Sequence, residues 1–370
     1  MNIGRIKNAF RDNANEGRCH MRKLWLVIAV CFFTLSACST TEKNTDLMTE
    51  TTSDTGIKIG FSMATLQEER WQRDRDIFVA RAREMGAEVI VQTANNNSED
   101  QIDQVRYLLE QDIDILVIVP HDAEKSSVAV QAAKKAGIKV ISYDRLIRNS
   151  NVDMYISFDN VKVGEIMAQH LLKEVPEGNY VIINGAKTDY NSYMFNQGYW
   201  NILNERSGTG SINVVSEVWA EDWKHEDAFN CIEKVLQSGQ QIDAVVAAND
   251  SLAGAVVEAL AEQRLAGKVE VAGHDADVSG CQRVAEGTQL VTVYKPIDEI
   301  AKAAAEVSIK MARGEEVDAN SVINDGKYEV PYFMIQPVAV TKQNLNDTVI
   351  KDGFHRLEDV YLNVPKSQWP

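Results

Sequence analysis

The sequence predicts two α/β domains of similar, Rossmann-like design, each a parallel sheet covered by helices. Three observations predict it. From Ile57 onward, short apolar runs alternate with longer amphipathic segments. The runs are continuous rather than alternating in polarity, which is the pattern of strands buried on both faces. They also fall into two groups of five, and a chain of 370 residues suits two domains.

The first group is "IKIGFSM" (57–63), "EVIVQT" (88–93), "DILVIVP" (114–120), "KVISYD" (139–144) and "MYISFD" (154–159). The second is "YVIING" (180–185), "INVVSEVW" (212–219), "DAVVAAND" (243–250), "VEVAGHD" (269–275) and "LVTVYKP" (290–296). Helical periodicity fills 67–86, 99–111, 124–137, 161–174, 192–206, 224–238, 251–264 and 297–313. Gly86, Gly137 and Gly267 stand where helix C-caps are expected. The segment 330–345 is β-like but carries Pro331 and Pro337, so it reads as a crossing connection rather than a central strand.

Composition narrows the class. The chain is 45% hydrophobic and 25% charged, as globular proteins are. Its net charge of −16 repels phosphate backbones and argues against a nucleic-acid partner. Met21-Arg22-Lys23 opens a basic stretch, and the apolar run from Leu24 to Leu35 is too short to span a bilayer. It suits the apolar region of a signal peptide. Residues 1–20 lengthen that basic region, and Met21 is a second candidate start. Leu35-Ser36-Ala37-Cys38 resembles the lipobox of bacterial lipoproteins, which implies cleavage before Cys38 and a lipid on its thiol. The Thr- and acid-rich stretch after it cannot bury a core and reads as a tether. Cys231 and Cys281 remain in the globular part, each in a helical pattern that favours buried free thiols as much as a pair. No Cys/His spacing suits a metal, and no cofactor is expected.

Ligands of open parallel sheets bind beyond the carboxyl ends of the strands. Those ends carry Glu69, Arg70 and Trp71; Asp144 and Arg145; Asp189 and Asn191; Trp219 and Trp223; Asn249 and Asp250; His274 and Asp275; and Lys295. Carboxylates, amides and guanidinium groups can make paired hydrogen bonds to adjacent hydroxyls, and tryptophan offers a flat apolar face. Together these describe a carbohydrate pocket. Blander readings apply to some positions. Asp250 and Asp277 read as helix N-caps, the run Arg73–Asp76 as a solvated helix face, and Trp219 as core. His121 and His225 read as surface residues. His274 reads as a polar wall of the pocket or a satisfied loop residue.

The motifs "ERWQRDRDIF", "YDRLI", "YISFDNVKVGE", "VVAANDSLAGA", "GHDAD", "TVYKPI" and "DTVIKDGFH" resemble the sugar-binding proteins of bacterial ABC transporters. These are type I periplasmic binding proteins of the ribose/galactose-binding group, and the order of the motifs points to the D-xylose branch. The resemblance covers about residues 57 to 355. It implies a monosaccharide ligand, D-xylose first, held by Arg70, Trp71, Asp144, Arg145, Asp189, Asn191, Trp223, Asn249, Asp275 and Lys295. It also implies a three-segment hinge near Asp159-Asn160, near Lys295-Pro296 and within 330–338. The resulting plan is 1–37 signal, 38–56 lipidated Cys38 and tether, 57–159 with 296–332 as first lobe, 160–295 with 333–356 as second, and 357–370 as tail. The implied partners are a permease and its ATPase, with a chemoreceptor or sensor kinase as the alternative for a sensing ectodomain that binds another pentose or a hexose. The implied form is a monomer that meets the membrane only through its lipid.

Two departures bear on specificity. The loop "SMATLQE" (62–68) lacks the acidic pair expected there, and His274 stands where glutamine is typical. Rival classes lack their own signals. A transcription regulator would need a basic N-terminal helix-turn-helix. A glycoside hydrolase would need an acid kept protonated, whereas Arg145 beside Asp144 favours ionisation. No enzymatic activity is expected.

Overall fold

A computed structural model describes residues 56–370; the signal segment, Cys38 and nearly all of the tether lie outside the described residues. The chain begins with β1 (Lys58–Met63), α1 (Glu69–Glu84), β2 (Glu88–Thr93), α2 (Ser98–Leu109), β3 (Ile115–Ile118), α3 (Ser127–Lys135), β4 (Lys139–Tyr143) and β5 (Met154–Phe158). It continues with α4 (Asn160–Glu174), β6 (Gly178–Asn184), α5 (Tyr190–Gly208), β7 (Ile212–Trp219), α6 (His225–Gln237), β8 (Ala244–Ala247), α7 (Asp250–Glu262), β9 (Glu270–His274), α8 (Val278–Glu286) and β10 (Val291–Tyr294). It closes with α9 (Ile297–Ala312), β11 (Ser321–Asn324), β12 (Glu329–Ile335), β13 (Val338–Thr341) and α10 (Leu357–Val360).

All ten predicted strands form. The first sheet has the order β11-β12-β5-β4-β3-β1-β2, and the second β13-β10-β9-β8-β6-β7. Both are parallel except at one edge, where β11 runs against β12 and β13 against β10. The continuous apolar runs have a direct cause. Ile115 and Val117 pack with Phe61 and Phe78 on one face of the first sheet, while Leu116 and Ile118 pack with Val105 and Val130 on the other. Val181 and Val245 face α6 and α7 in the second sheet, and Tyr180 and Val246 face α4 and α5. Each such side chain contributes roughly 1.5–3 kcal/mol on burial.

The three strands outside the predicted ten correct the reading of the C-terminal third. β12 is an interior strand, not a crossing: Tyr332–Ile335 pair in parallel with Tyr155–Phe158. Pro331 is tolerated because the ladder to β5 begins after it, and it lies opposite Val322 of the short edge strand β11. Residues 333–335 therefore belong to the first sheet, not the second lobe. Residues 357–370 are not a detached tail, since Val360 and Tyr361 are buried against Cys281, Val284 and Leu345 of the second lobe.

The caps also become clearer. Gly86 and Gly137 follow the last helical residues with φ of +81° and +78°. Gly267 is not the stop of α7; Arg264 takes the left-handed position there, at φ +58°. Cys231 and Cys281 are both free and buried.

Candidate functional site

The chain passes between the two sheets after β5, after β10 and after β12, so the carboxyl ends of both sets of strands face one cleft. A small cavity lies there, walled by residues of both lobes. All ten predicted site residues line it, together with Glu68, Phe195 and His274.

The first lobe supplies Arg70, Trp71, Asp144 and Arg145. Arg70 and Trp71 stand in the first turn of α1, directly after β1. Asp144 leaves β4 with φ +60°, a left-handed conformation that aspartate enters more readily than most residues. The turn is held on every side. Asp144 N donates to Ile156 O at 2.7 Å, and its carbonyl accepts from Tyr155 Oη at 2.8 Å and Ser157 Oγ at 2.6 Å. Ser142 Oγ donates to Arg145 O at 2.6 Å, and the fully buried Leu146 and Ile147 root the segment that leads on to β5. The motif "YDRLI" is thus a fixed turn with an apolar root.

The second lobe supplies caps and left-handed loops. Asp189 caps α5: its Oδ1 accepts from Asn191 N at 2.9 Å, and its Oδ2 lies 2.7 Å from Arg145 Nε. Asn249 caps α7, accepting from Leu252 N at 2.8 Å and leaving its Nδ2 to the cavity. Asp275 follows β9 with φ +99° and Ala276 with φ +53°. Trp223 has φ +60°, and its indole lies over Gly185, where a Cβ would come within 2.2 Å of the ring. Glycine at 185 is therefore required by the tryptophan's position. Lys295 closes the ring from the end of β10, with Nζ 2.7 Å from Asp275 Oδ1.

Charges in this cleft are matched. Arg70 reaches Asp144 at 2.7 Å, Asp74 at 3.3 Å and Asp275 at 3.4 Å. Burial pushes the Asp144 carboxyl up, but Arg70, Lys295 and Arg145 outweigh it and hold the group below its ordinary range. Burial likewise opposes ionisation of Asp275, and Lys295, with Arg70, overrides it by a wide margin. Each cation in the wall thus faces a carboxylate of the wall. The three pairs leave no spare lining cation for an anionic ligand, whereas a neutral polyol can take the remaining donor and acceptor positions, Glu68 among them. Trp71, buried beneath both guanidinium groups at 4.2 and 5.1 Å, adds an apolar face, as do Trp223 and Phe195.

Three lining residues were not among the ten. Glu68 directly precedes α1, Phe195 lies within α5, and His274 ends β9. Glu68 Oε2, Trp223 Nε1 and both ring nitrogens of His274 are buried without a hydrogen-bond partner in the protein. Of the blander readings, several are corrected. Asp74 is not on a solvated face; it is fully buried, bonded to Arg70 and the Tyr143 hydroxyl, and burial raises its pKa to about 6. Asp250 is not the N-cap of α7. It is buried between Gln289 Nε2 and Thr292 Oγ1, each at 2.7 Å. Asp277 occupies the N-cap position of α8 but makes no capping hydrogen bond. Trp219 is half-buried on the outside of β7 against Tyr193, 4.7 Å between rings, and does not line the cavity. His121 is buried near Asp222 of the other lobe rather than on the surface. Among the described residues no acid, histidine or cysteine cluster suits a metal ion, and no helix is long and apolar enough to cross a membrane.

Comparison with known proteins agrees with this geometry. The family model for the periplasmic binding protein domain matches residues 59–316. The D-xylose-binding periplasmic protein of Haemophilus influenzae is 45% identical over 82% of this chain and 92% of its own length. Its namesake from Escherichia coli is 44% identical over 81% and 91%. A carbohydrate transporter solute-binding protein from Chloroflexus aurantiacus, solved in complex with D-glucose, superposes with a TM-score of 0.77 at 26% identity, covering 81% of this chain and 97% of that one. The chain belongs to the periplasmic binding protein family, and within it stands beside the D-xylose-binding proteins.

Proposed function

We propose that this chain is the substrate-binding protein of an ABC importer and that it carries D-xylose between its two lobes. The observation that carries the reading is a ring of paired hydrogen-bonding groups whose three cations each face a carboxylate, in a chain 44% identical to a D-xylose-binding protein. Arg70, Asp144, Arg145, Asp189, Asn191, Asn249, Asp275 and Lys295 address hydroxyls, while Trp71 and Trp223 cover the apolar faces of the sugar ring. A buried group left without its hydroxyl costs roughly 1–3 kcal/mol. A sugar that lacks or inverts one hydroxyl is therefore rejected about 5- to 150-fold.

Capture proceeds by closure. Arg70 with Asp275, Arg145 with Asp189, and Asn191 with Asp144 each join one lobe to the other across the cleft. These contacts form only when the lobes meet, so the sugar shifts the population toward the closed form. A permease distinguishes that form by its surface. Cys38 supplies the lipid that keeps the protein at the membrane outside the cytoplasm.

A thermal-shift panel of pentoses and hexoses tests the ligand. D-xylose at about 100 times its Kd adds roughly 2.7 kcal/mol to stability by mass action. No rise in Tm with any aldose overturns the reading. The anchor is tested by Cys38→Ser, which is expected to release the protein from the membrane fraction.

A further inference from the structure

We infer that His274 reads one hydroxyl of the bound pentose, accepting its hydrogen on Nε2, and that this contact selects among sugars. The inference rests on the sugar-binding reading above and refines it.

The imidazole is fixed on two sides. Its ring lies 4.5 Å from the Phe195 ring, and Nδ1 lies 3.2 Å from Asp275 Oδ1, close but out of line for a hydrogen bond. The residue is 2% exposed and lines the cavity. Nε2 is buried with no partner in the protein. A carboxylate beside Nδ1 favours the tautomer that carries its proton there, which leaves the lone pair on Nε2. Burial, reinforced by Lys295, lowers the imidazole pKa to about 4, so the ring is uncharged at neutral pH.

A neutral imidazole in this tautomer accepts and does not donate at Nε2. A carboxamide at the same place could turn either end to the ligand. The histidine therefore demands a hydrogen, which a hydroxyl has and an ether or a fluorine lacks. Loss of one such bond in a buried site weakens binding about tenfold.

The test is titration calorimetry with D-xylose and its single-position deoxy, deoxyfluoro and O-methyl analogues, on the unaltered chain and on His274→Leu. In the unaltered chain one position is expected to lose about tenfold with fluorine as with hydrogen. In His274→Leu, D-xylose itself weakens by a similar factor and that position ceases to matter, while the others still do. Equal losses at every position in both proteins overturn the inference. Absence of any D-xylose binding by the unaltered chain instead overturns the sugar assignment, and this inference with it. Should His274→Leu fail to fold, ¹⁵N spectra of the unaltered protein decide. D-xylose is expected to move the lone-pair nitrogen resonance assigned to His274, one of six histidines, through His274→Gln. An unmoved resonance overturns the contact.

Discussion

The two lobes share a design but meet the cleft with different chemistry. The first presents Arg70 and Arg145 with Trp71, on a helix start and a strand-end turn; of its two lining carboxylates, Asp144 is already bound to Arg70 and Glu68 stands just before α1. The second presents Asp189, Asn191, Asn249 and Asp275 from helix caps and left-handed loops, with Lys295 at its edge. The first lobe contributes both guanidinium groups, and the second the amides and the carboxylates that meet those guanidinium groups across the cleft. The lobes are thus matched to each other before they are matched to a ligand. Closure brings opposite charges together at long sequence separation, and a neutral sugar fills the space between pairs that are already made.

Cutting a cross-lobe pair gives the largest expected effect on that match. Arg145→Ala leaves Asp189 buried without its cation, and Asp275→Ala leaves Lys295 buried without its carboxylate, while Arg70 loses its link across the cleft and keeps Asp144 and Asp74. Removing one partner of a buried pair costs about 3–5 kcal/mol. Calorimetry should find D-xylose binding weakened at least a hundredfold in either variant, with an unchanged far-UV spectrum. An affinity close to that of the parent chain would remove both residues from the site.

A smaller change separates cleft from outer face within the second lobe. Gly185→Ala drives a methyl into the Trp223 ring. Displacing the indole is expected to cost about 1–3 kcal/mol of sugar affinity and to alter the tryptophan fluorescence response to D-xylose. Trp219→Ala, four residues away but outside the cavity, should leave the affinity within about twofold. If the two tryptophans respond alike, the division between cleft and outer face fails.

The support behind the first lobe can be read through pH. Burial raises Asp74 to about 6, well above an exposed aspartate. Between about pH 4 and 6 the folded state then holds a proton that the unfolded state has released. Stability from this group is therefore greatest at the acid end and falls as pH rises through the window. Asp74→Asn removes the titration. Urea midpoints at pH 4.5 and 7 should show the parent chain losing about 1–3 kcal/mol relative to the variant on going to neutral pH. A pH-independent difference would mean that Asp74 stays ionised throughout.

Much of the cleft was legible because strand ends are where a parallel sheet delivers side chains, and the residue types there were unusual for caps alone. Asp189 and Asn249 turn out to serve both purposes: one oxygen caps the helix, and the rest of the group lines the cavity. Phe195 was not legible, because an aromatic inside a helix has the same signature whether it faces a core or a ligand. Asp74 was hidden in a run of charges, whose burial depends on Tyr143 arriving from β4. The strand β12 was misread because proline excludes a residue from one ladder only, and the other ladder starts after it. Glu68 was passed over because it is the single acid at the end of a loop, 62–68, read for a pair, and its position before α1 carries no periodic signal.

The left-handed turns at Asp144 and Asp275 restrict redesign. At φ of +60° and +99°, a β-branched or bulky side chain meets steric strain that aspartate, asparagine and glycine largely escape. Any route from this pocket to one for a different sugar, by selection or at the bench, therefore has a short alphabet at those two letters. Change is cheaper at Glu68 and His274, whose backbones are ordinary, and new preferences would be written there first.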